Sequence, residues 1–168
     1  MLFRSRLFRK RRNVDAKKFV VVGVSRGASV AAKLGEQLSE LAGIVLVSGF
    51  YDLGATYQKW KVETETPEAQ ALASALEHET VMSDAGPLEL VFSERSVLPY
   101  AGIRCPVLVL QGAKDPLSIS FQAEELVKKL NARNVQAKAI IYPEAGHRIP
   151  AEAREREIEP FLARVLGK

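Results

Sequence analysis

Four short apolar runs punctuate the chain, separated by stretches in which apolar residues recur at helical spacing. The runs are Phe19-Val20-Val21-Val22-Gly23, Gly43-Ile44-Val45-Leu46-Val47-Ser48-Gly49, Val107-Leu108-Val109-Leu110-Gln111-Gly112 and Ala139-Ile140-Ile141-Tyr142. They are aliphatic and β-branched without polar alternation, which predicts strands buried on both faces in a parallel sheet. Ala28, Ala31, Leu34, Leu38 and Leu41, with Lys33, Glu36 and Gln37 between them, predict a helix ending near Leu41-Ala42. Pro67 to Met82, rich in alanine and leucine, predicts another, broken by Gly86-Pro87. A helix over Leu88 to Leu98 stops before Pro99, and one over Leu117 to Leu130 follows the third strand. The last helix runs from Ala151 to Leu166, with Ile158, Phe161, Leu162, Val165 and Leu166 as its apolar stripe. Strands alternating with helices predict an α/β fold, a mainly parallel sheet of about four core strands in chain order flanked by helices.

No internal repeat, low-complexity segment or linker divides the sequence, so residues 1–168 are expected to form one domain. Residues 50–102 are then a long excursion between the second and third strands. Phe50, Tyr51, Tyr57 and Trp60 gather at its start, where they either line an apolar pocket or cover the sheet edge.

Composition changes this picture little. A chain of 168 residues, 47% hydrophobic and 26% charged, is of globular type and can bury a core. No stretch is long enough for a membrane span. The net charge of +4 hints at nucleic acid until it is located. Arg4, Arg6, Arg9, Lys10, Arg11 and Arg12 hold six of the positive charges, and the rest of the chain is slightly acidic. Without a basic face interleaved with aromatics, no nucleic-acid partner is expected. Met1 to Arg12 reads as a targeting segment, as a basic tail for a membrane surface or anionic partner, or as the remains of a helix preceding the first strand; the last is preferred. Cys105 precludes an internal disulfide and sits just before a core strand, as a small buried hydrophobe would. It fits a reducing, cytoplasmic location, although the arginine-rich start leaves organelle targeting or membrane-surface contact open. Two isolated histidines and one cysteine make no zinc site, and no P-loop or G-x-G-x-x-G is present, so neither metal nor cofactor is expected.

The chemistry concentrates at Gly23-Val24-Ser25-Arg26-Gly27, a G-x-S-x-G pentapeptide between the first strand and the first helix. Flanking residues without Cβ let strand and helix approach a serine in a cramped turn. Ser25 would then stand above a helix N-terminus, where backbone N–H groups favour a negative oxygen. The bland alternative is a glycine-rich turn with an incidental serine.

At this point the sequence resembles the α/β-hydrolase fold family of serine hydrolases, over most of Lys17 to Lys168. The resemblance implies a triad in the order Ser, Asp or Glu, His, each after a later strand. Ala113-Lys114-Asp115-Pro116 after the third run looks like the family's acid turn. Pro143-Glu144-Ala145-Gly146-His147 after the fourth looks like its Gly-His loop. The details are closest to dienelactone-hydrolase-like esterases and to the catalytic domains of prolyl-oligopeptidase-type peptidases, and the residues do not choose between them. His147 is the expected base, His78 lying in a helix away from any strand end. Asp115 is the preferred orienting acid, with Asp52, after the second run, as the rival. The Arg26 N–H is the expected oxyanion donor. The excursion falls where many members carry a cap. The family usually has four strands before its nucleophile strand, whereas eighteen residues precede Phe19 here. The fold is therefore expected to be an N-terminally truncated form without the loop that gives the second oxyanion donor. The implied function is cleavage of a small-molecule ester or a peptide through an acyl-enzyme on Ser25. The competing expectation is an impaired hydrolase-like chain acting as a partner or subunit. Residues 19–23, lacking their usual neighbours, should form an edge that pairs with a second copy or another polypeptide.

Overall fold

A computed structural model describes residues 15, 18–63, 66–82, 87–98 and 102–167 of the chain. Strands β1 (Val20–Val24), β2 (Gly43–Val47), β3 (Val107–Gly112) and β4 (Ala137–Tyr142) pair in parallel in the order β1-β2-β3-β4. Around them lie helices α1 (Arg26–Gln37), α2 (Leu53–Gln58), α3 (Pro67–Met82), α4 (Leu88–Arg95), α5 (Phe121–Asn131) and α6 (Ala151–Leu166). A π-helical turn, Lys59–Glu63, continues α2. The sheet in chain order is the one the apolar runs predict.

β2 and β3 are buried along their whole length because both faces are covered. Ile44, Leu46, Val107 and Val109 pack with Ala28, Ala31 and Ala32 of α1 and Ala123, Leu126 and Leu130 of α5. Val45, Val47, Leu108 and Leu110 face the other way, against Ile149 and Phe161, with Ile158, Leu162 and Val165 of α6 packed around them. The excursion makes a third cluster from Phe50, Tyr57, Trp60, Ala69, Ala73, Leu76 and Val91. Three of the four early aromatics belong to it, while Tyr51 goes to the main core.

Several expectations need correction. β1 is half-buried rather than deeply buried, with Val22 52% and Val24 49% exposed, because an edge strand has one neighbour. α1 stops at Gln37, short of Leu41: Leu38 turns extended and the Ala42 N–H donates to the Phe19 carbonyl, drawing the chain back beside β1. α4 stops at Arg95 because the N–H groups of Val97 and Leu98 both donate to the Tyr51 carbonyl instead of to the helix. α5 starts at Phe121, not Leu117, since residues 115–120 fold as a turn around the Asp115 carboxylate. The three readings of Met1 to Arg12 concern residues outside those described. Among the described residues, no helix is long and apolar enough to cross a membrane.

Candidate active site

Ser25 caps the start of α1 at φ 55° and ψ −126°, a backbone region that residues with a Cβ rarely adopt. Its neighbours impose it: the Ser25 N–H donates to the Val47 carbonyl at 2.8 Å, and the Ala28 N–H donates to the Ser25 carbonyl at 2.9 Å. A Cβ on Gly23 would lie 2.3 Å from the Gly27 oxygen and 2.7 Å from the Ala28 Cα, so that glycine is required. Gly27 is different. Nothing lies within 4 Å of a Cβ built there, and the expectation that both glycines serve close approach holds for Gly23 alone.

The loops after β3 and β4 are packed backbone to backbone. A Cβ on Gly112 would lie 2.2 Å from the Gly146 oxygen and 2.4 Å from that of Ala145. This contact sets the Asp115 and His147 loops side by side. His147 Nδ1 lies 2.8 Å from Asp115 Oδ2, and its Nε2 lies 2.9 Å from Ser25 Oγ. An ionised carboxylate only accepts, so Nδ1 carries the proton, and in the neutral ring Nε2 accepts from the Ser25 hydroxyl. Three residues separated by up to 122 positions thus form one hydrogen-bonded chain.

The Asp115 side chain is wholly buried and richly bonded. Oδ1 accepts from the N–H groups of Leu117 (2.8 Å) and Ser118 (3.2 Å). Oδ2 accepts from Ser118 Oγ at 2.7 Å and Gln111 Nε2 at 3.0 Å, besides His147. Burial pushes the carboxyl up, but the bonds from His147, Ser118 and the Leu117 N–H outweigh it and hold Asp115 below the usual carboxylate range. Sequence reasoning passed over Gln111 and Ser118. The one available signal was a polar residue, Gln111, inside an otherwise aliphatic strand.

Asp52, the rival acid, does other work: its Oδ1 caps α2 by accepting the Ala55 N–H at 3.0 Å. The neighbouring main chain is held by buried Gln122, whose Oε1 accepts from the N–H groups of Tyr51 and Asp52. His78 is exposed on α3. Arg26 opens α1, with its side chain exposed near Glu79 (3.9 Å), while Glu79 also pairs with Arg95 at 3.1 Å. The Arg95 bond, with lesser help from the Arg26 charge, keeps the Glu79 carboxyl below its ordinary value. Burial pushes the Cys105 thiol up to about 11, which makes it unreactive. Among the described residues, no three His, Cys, Asp or Glu side chains gather as metal ligands.

Beside the serine lies a cavity of about 480 Å³, lined by Phe50, Leu53, Trp60, Leu72 and Leu76 and rimmed by Arg26, Lys33, Glu79 and Arg95. Neither Ser25 nor His147 lines it. It reaches them through Arg26, the residue after the serine, and through Phe50, whose ring lies parallel to the imidazole at 6.1 Å between centroids. Of the four aromatics at the start of the excursion, Phe50 and Trp60 therefore line an apolar pocket, while Tyr51 packs in the main core and Tyr57 in the excursion's own cluster.

A serine on a strand-to-helix turn, with an acid and an imidazole brought to it by later parallel strands, is the constellation of serine hydrolases on an α/β-hydrolase fold. The chain belongs to the prolyl oligopeptidase family, peptidase family S9, whose profile matches residues 4–168. It is 33% identical over 90 residues to dipeptidyl aminopeptidase BIII of Pseudoxanthomonas mexicana, a match covering 51% of this chain and 13% of that protein. With dipeptidyl peptidase family member 6 of Caenorhabditis elegans it shares 32% identity over 78 residues, 44% of this chain and 10% of the relative. A puromycin-hydrolyzing peptidase of Mycobacterium tuberculosis has the same fold: TM-score 0.78 at 20% identity, over 98% of this chain and 24% of that one. The chain thus spans about a quarter or less of each of these three proteins.

Proposed function

We propose that the chain hydrolyses an ester or amide bond through an acyl-enzyme on Ser25. The observation that carries this reading is the unbroken bonding from Asp115 through His147 to Ser25 Oγ. As Ser25 Oγ bonds to the substrate carbonyl carbon, His147 Nε2 takes the hydroxyl proton. It returns that proton to the leaving alcohol or amine as the acyl bond breaks. Water, activated by the same nitrogen, then releases the acid. Asp115 holds the ring in the productive tautomer and stabilises its charged form. The Arg26 N–H, at the first turn of α1, donates to the oxyanion. Residues 50–102 act as the cap, their apolar cavity taking the group beside the scissile bond. Family membership, and relatives named as peptidases, favour a peptide amide over a simple ester.

A fluorophosphonate probe tests this directly, because it reacts with an activated serine. Mass spectrometry should find the adduct on Ser25, none in Ser25→Ala and strongly slowed labelling in His147→Ala. Labelling elsewhere, or none at all, would overturn the reading and assign the chain to the class of inactive partners or subunits.

A further inference from the structure

Besides the bonds from Gln111 and His147, the hydrogen bonds around Asp115 and its turn fall into two sets. Those from Leu117 N–H, Ser118 N–H and Ser118 Oγ are made within the turn 115–118 itself, and fix the carboxylate relative to its own loop. They do not fix where that loop stands relative to the imidazole. The Gly112 approach to Ala145 and Gly146 and the bond from the Lys114 N–H to the Ala145 carbonyl set its base beside the His147 loop. A second set of bonds, from the excursion, holds its far side. Lys59 Nζ donates to the carbonyls of Asp115 at 3.1 Å and Ser118 at 2.5 Å, and Trp60 Nε1 donates to the Leu117 carbonyl at 2.7 Å. Three of the four carbonyls in the turn are thereby gripped by two consecutive residues more than fifty positions away in the chain.

The backbone of residues 59–63 explains how neighbours can share one target. In an α-helix successive side chains diverge by about 100°. The wider π-helical turn reduces that divergence, and such turns recur at functional sites. Trp60 is nearly buried and meets Phe50 edge-on at 5.2 Å, the ring that in turn lies parallel to His147. The same turn therefore touches the acid loop directly and the imidazole only through Phe50. An ammonium suits this task because its bonds to carbonyl oxygens are charge-assisted and it offers three donors from one point.

We infer that Lys59 and Trp60 are positioning residues for Asp115, registering the acid loop against His147 from within the excursion. The inference rests on the reading of Asp115 as the orienting acid. Because Lys59, unlike Trp60, does not line the cavity, losing its bonds should lower the rate of the serine's reaction more than the affinity of the cavity. Reaction geometry of this kind is steep: a displacement near 1 Å can cost about 10²-fold.

The experiment compares the full chain with Lys59→Met, Lys59→Arg and Trp60→Phe, the last keeping the ring and removing the indole donor. The low-field proton resonance of the His147 Nδ1–H bond to Asp115 is followed by NMR, alongside the rate constant for fluorophosphonate labelling and the thermal midpoint. Lys59→Met should lose or shift the resonance and label about 10- to 100-fold more slowly. Lys59→Arg should restore both, and Trp60→Phe should fall between. Should Lys59→Met fail to fold, Trp60→Phe and Lys59→Arg decide the matter on the same readouts. An unmoved resonance with an unchanged labelling rate in the folded variants would overturn the inference. So would slowing in both lysine variants that tracks only the fall in thermal midpoint. A wild-type chain that shows the resonance but is not labelled, while Lys59→Met loses the resonance, would support the clamp and sink the hydrolase reading.

Discussion

Asp115 and Asp52 each follow a core strand and each could cap a helix; what separates them is the partner each carboxylate finds. Asp115 Oδ2 meets His147, and Asp52 Oδ1 meets only the first turn of α2. Asp115→Asn should lower kcat by about 10⁴-fold, through the wrong tautomer, as in other triads. Asp52→Ala should cost about 1 kcal/mol of stability for the lost cap and leave kcat nearly unchanged. Steady-state kinetics with thermal melts on both variants checks this, and the reverse pattern would make Asp52 the acid. The depressed Asp115 carboxyl also sets a pH dependence. Its contribution to stability is whole above the unfolded value, near 3.8, and is lost as pH falls through the lower folded value. Wild type should therefore be more stable than Asp115→Asn at neutral pH, with the gap closing only in strong acid. Ser25, Asp115 and His147 were legible because each follows an apolar run, lies within two residues of a glycine or proline, and falls in the chain order that the resemblance to α/β-hydrolases implies for serine, acid and histidine. Gln111, Ser118 and Lys59 were not, because their partners are defined by tertiary contacts that no local pattern encodes.

At the scale of elements, long helical segments were read almost to the residue, as with Pro67–Met82 and Ala151–Leu166. Ala151–Leu166 repeats its apolar positions often enough to fix both period and face, whereas Pro67–Met82 was legible from its alanine- and leucine-rich composition. α2 and the π-helical turn were invisible, being too short for any period to appear. Boundaries moved wherever a backbone group found a partner outside its helix, as at Val97 and Leu98. The nucleophile turn shows the same limit, since its two glycines look equivalent in sequence and are not equivalent in space. Gly23→Ala places a Cβ against the Gly27 and Ala28 backbone, and should destabilise the protein by about 1–3 kcal/mol or more. Gly27→Ala meets open space at an ordinary helical φ, and should be neutral or stabilise by about 0.5–1 kcal/mol. Denaturant unfolding of the two variants decides it. A Gly27→Ala loss as large as that of Gly23→Ala would mean that the turn needs both glycines after all.

For the whole molecule, the strand order followed from the chain because parallel strands joined by helices are commonly laid down side by side. That order leaves β1 at one edge of the described sheet, and its surface has the properties of an unfinished interface. Val22 and Val24 are about half exposed, and Val30 of α1 is 37% exposed beside them. Together with Val21 and Leu34 they line a shallow groove along the edge. β1 contains no proline, charge or bulge of the kind that keeps natural edges from pairing, and its outer N–H and C=O groups seek partners. The simplest partner in a purified sample is a second copy. Two equivalent strands related by a two-fold axis must run antiparallel, so Val22, at the middle of β1, would fall near the axis and meet its own counterpart. Static light scattering at micromolar concentration should therefore report a dimer or larger species. Val21 faces the core, so a charge there would test folding instead. Val22→Lys instead sets like charges opposite each other across the axis and should shift the population toward monomer while leaving the fold intact. A wild-type chain that stays monomeric and unfolds in one cooperative transition would refute the pairing of this edge.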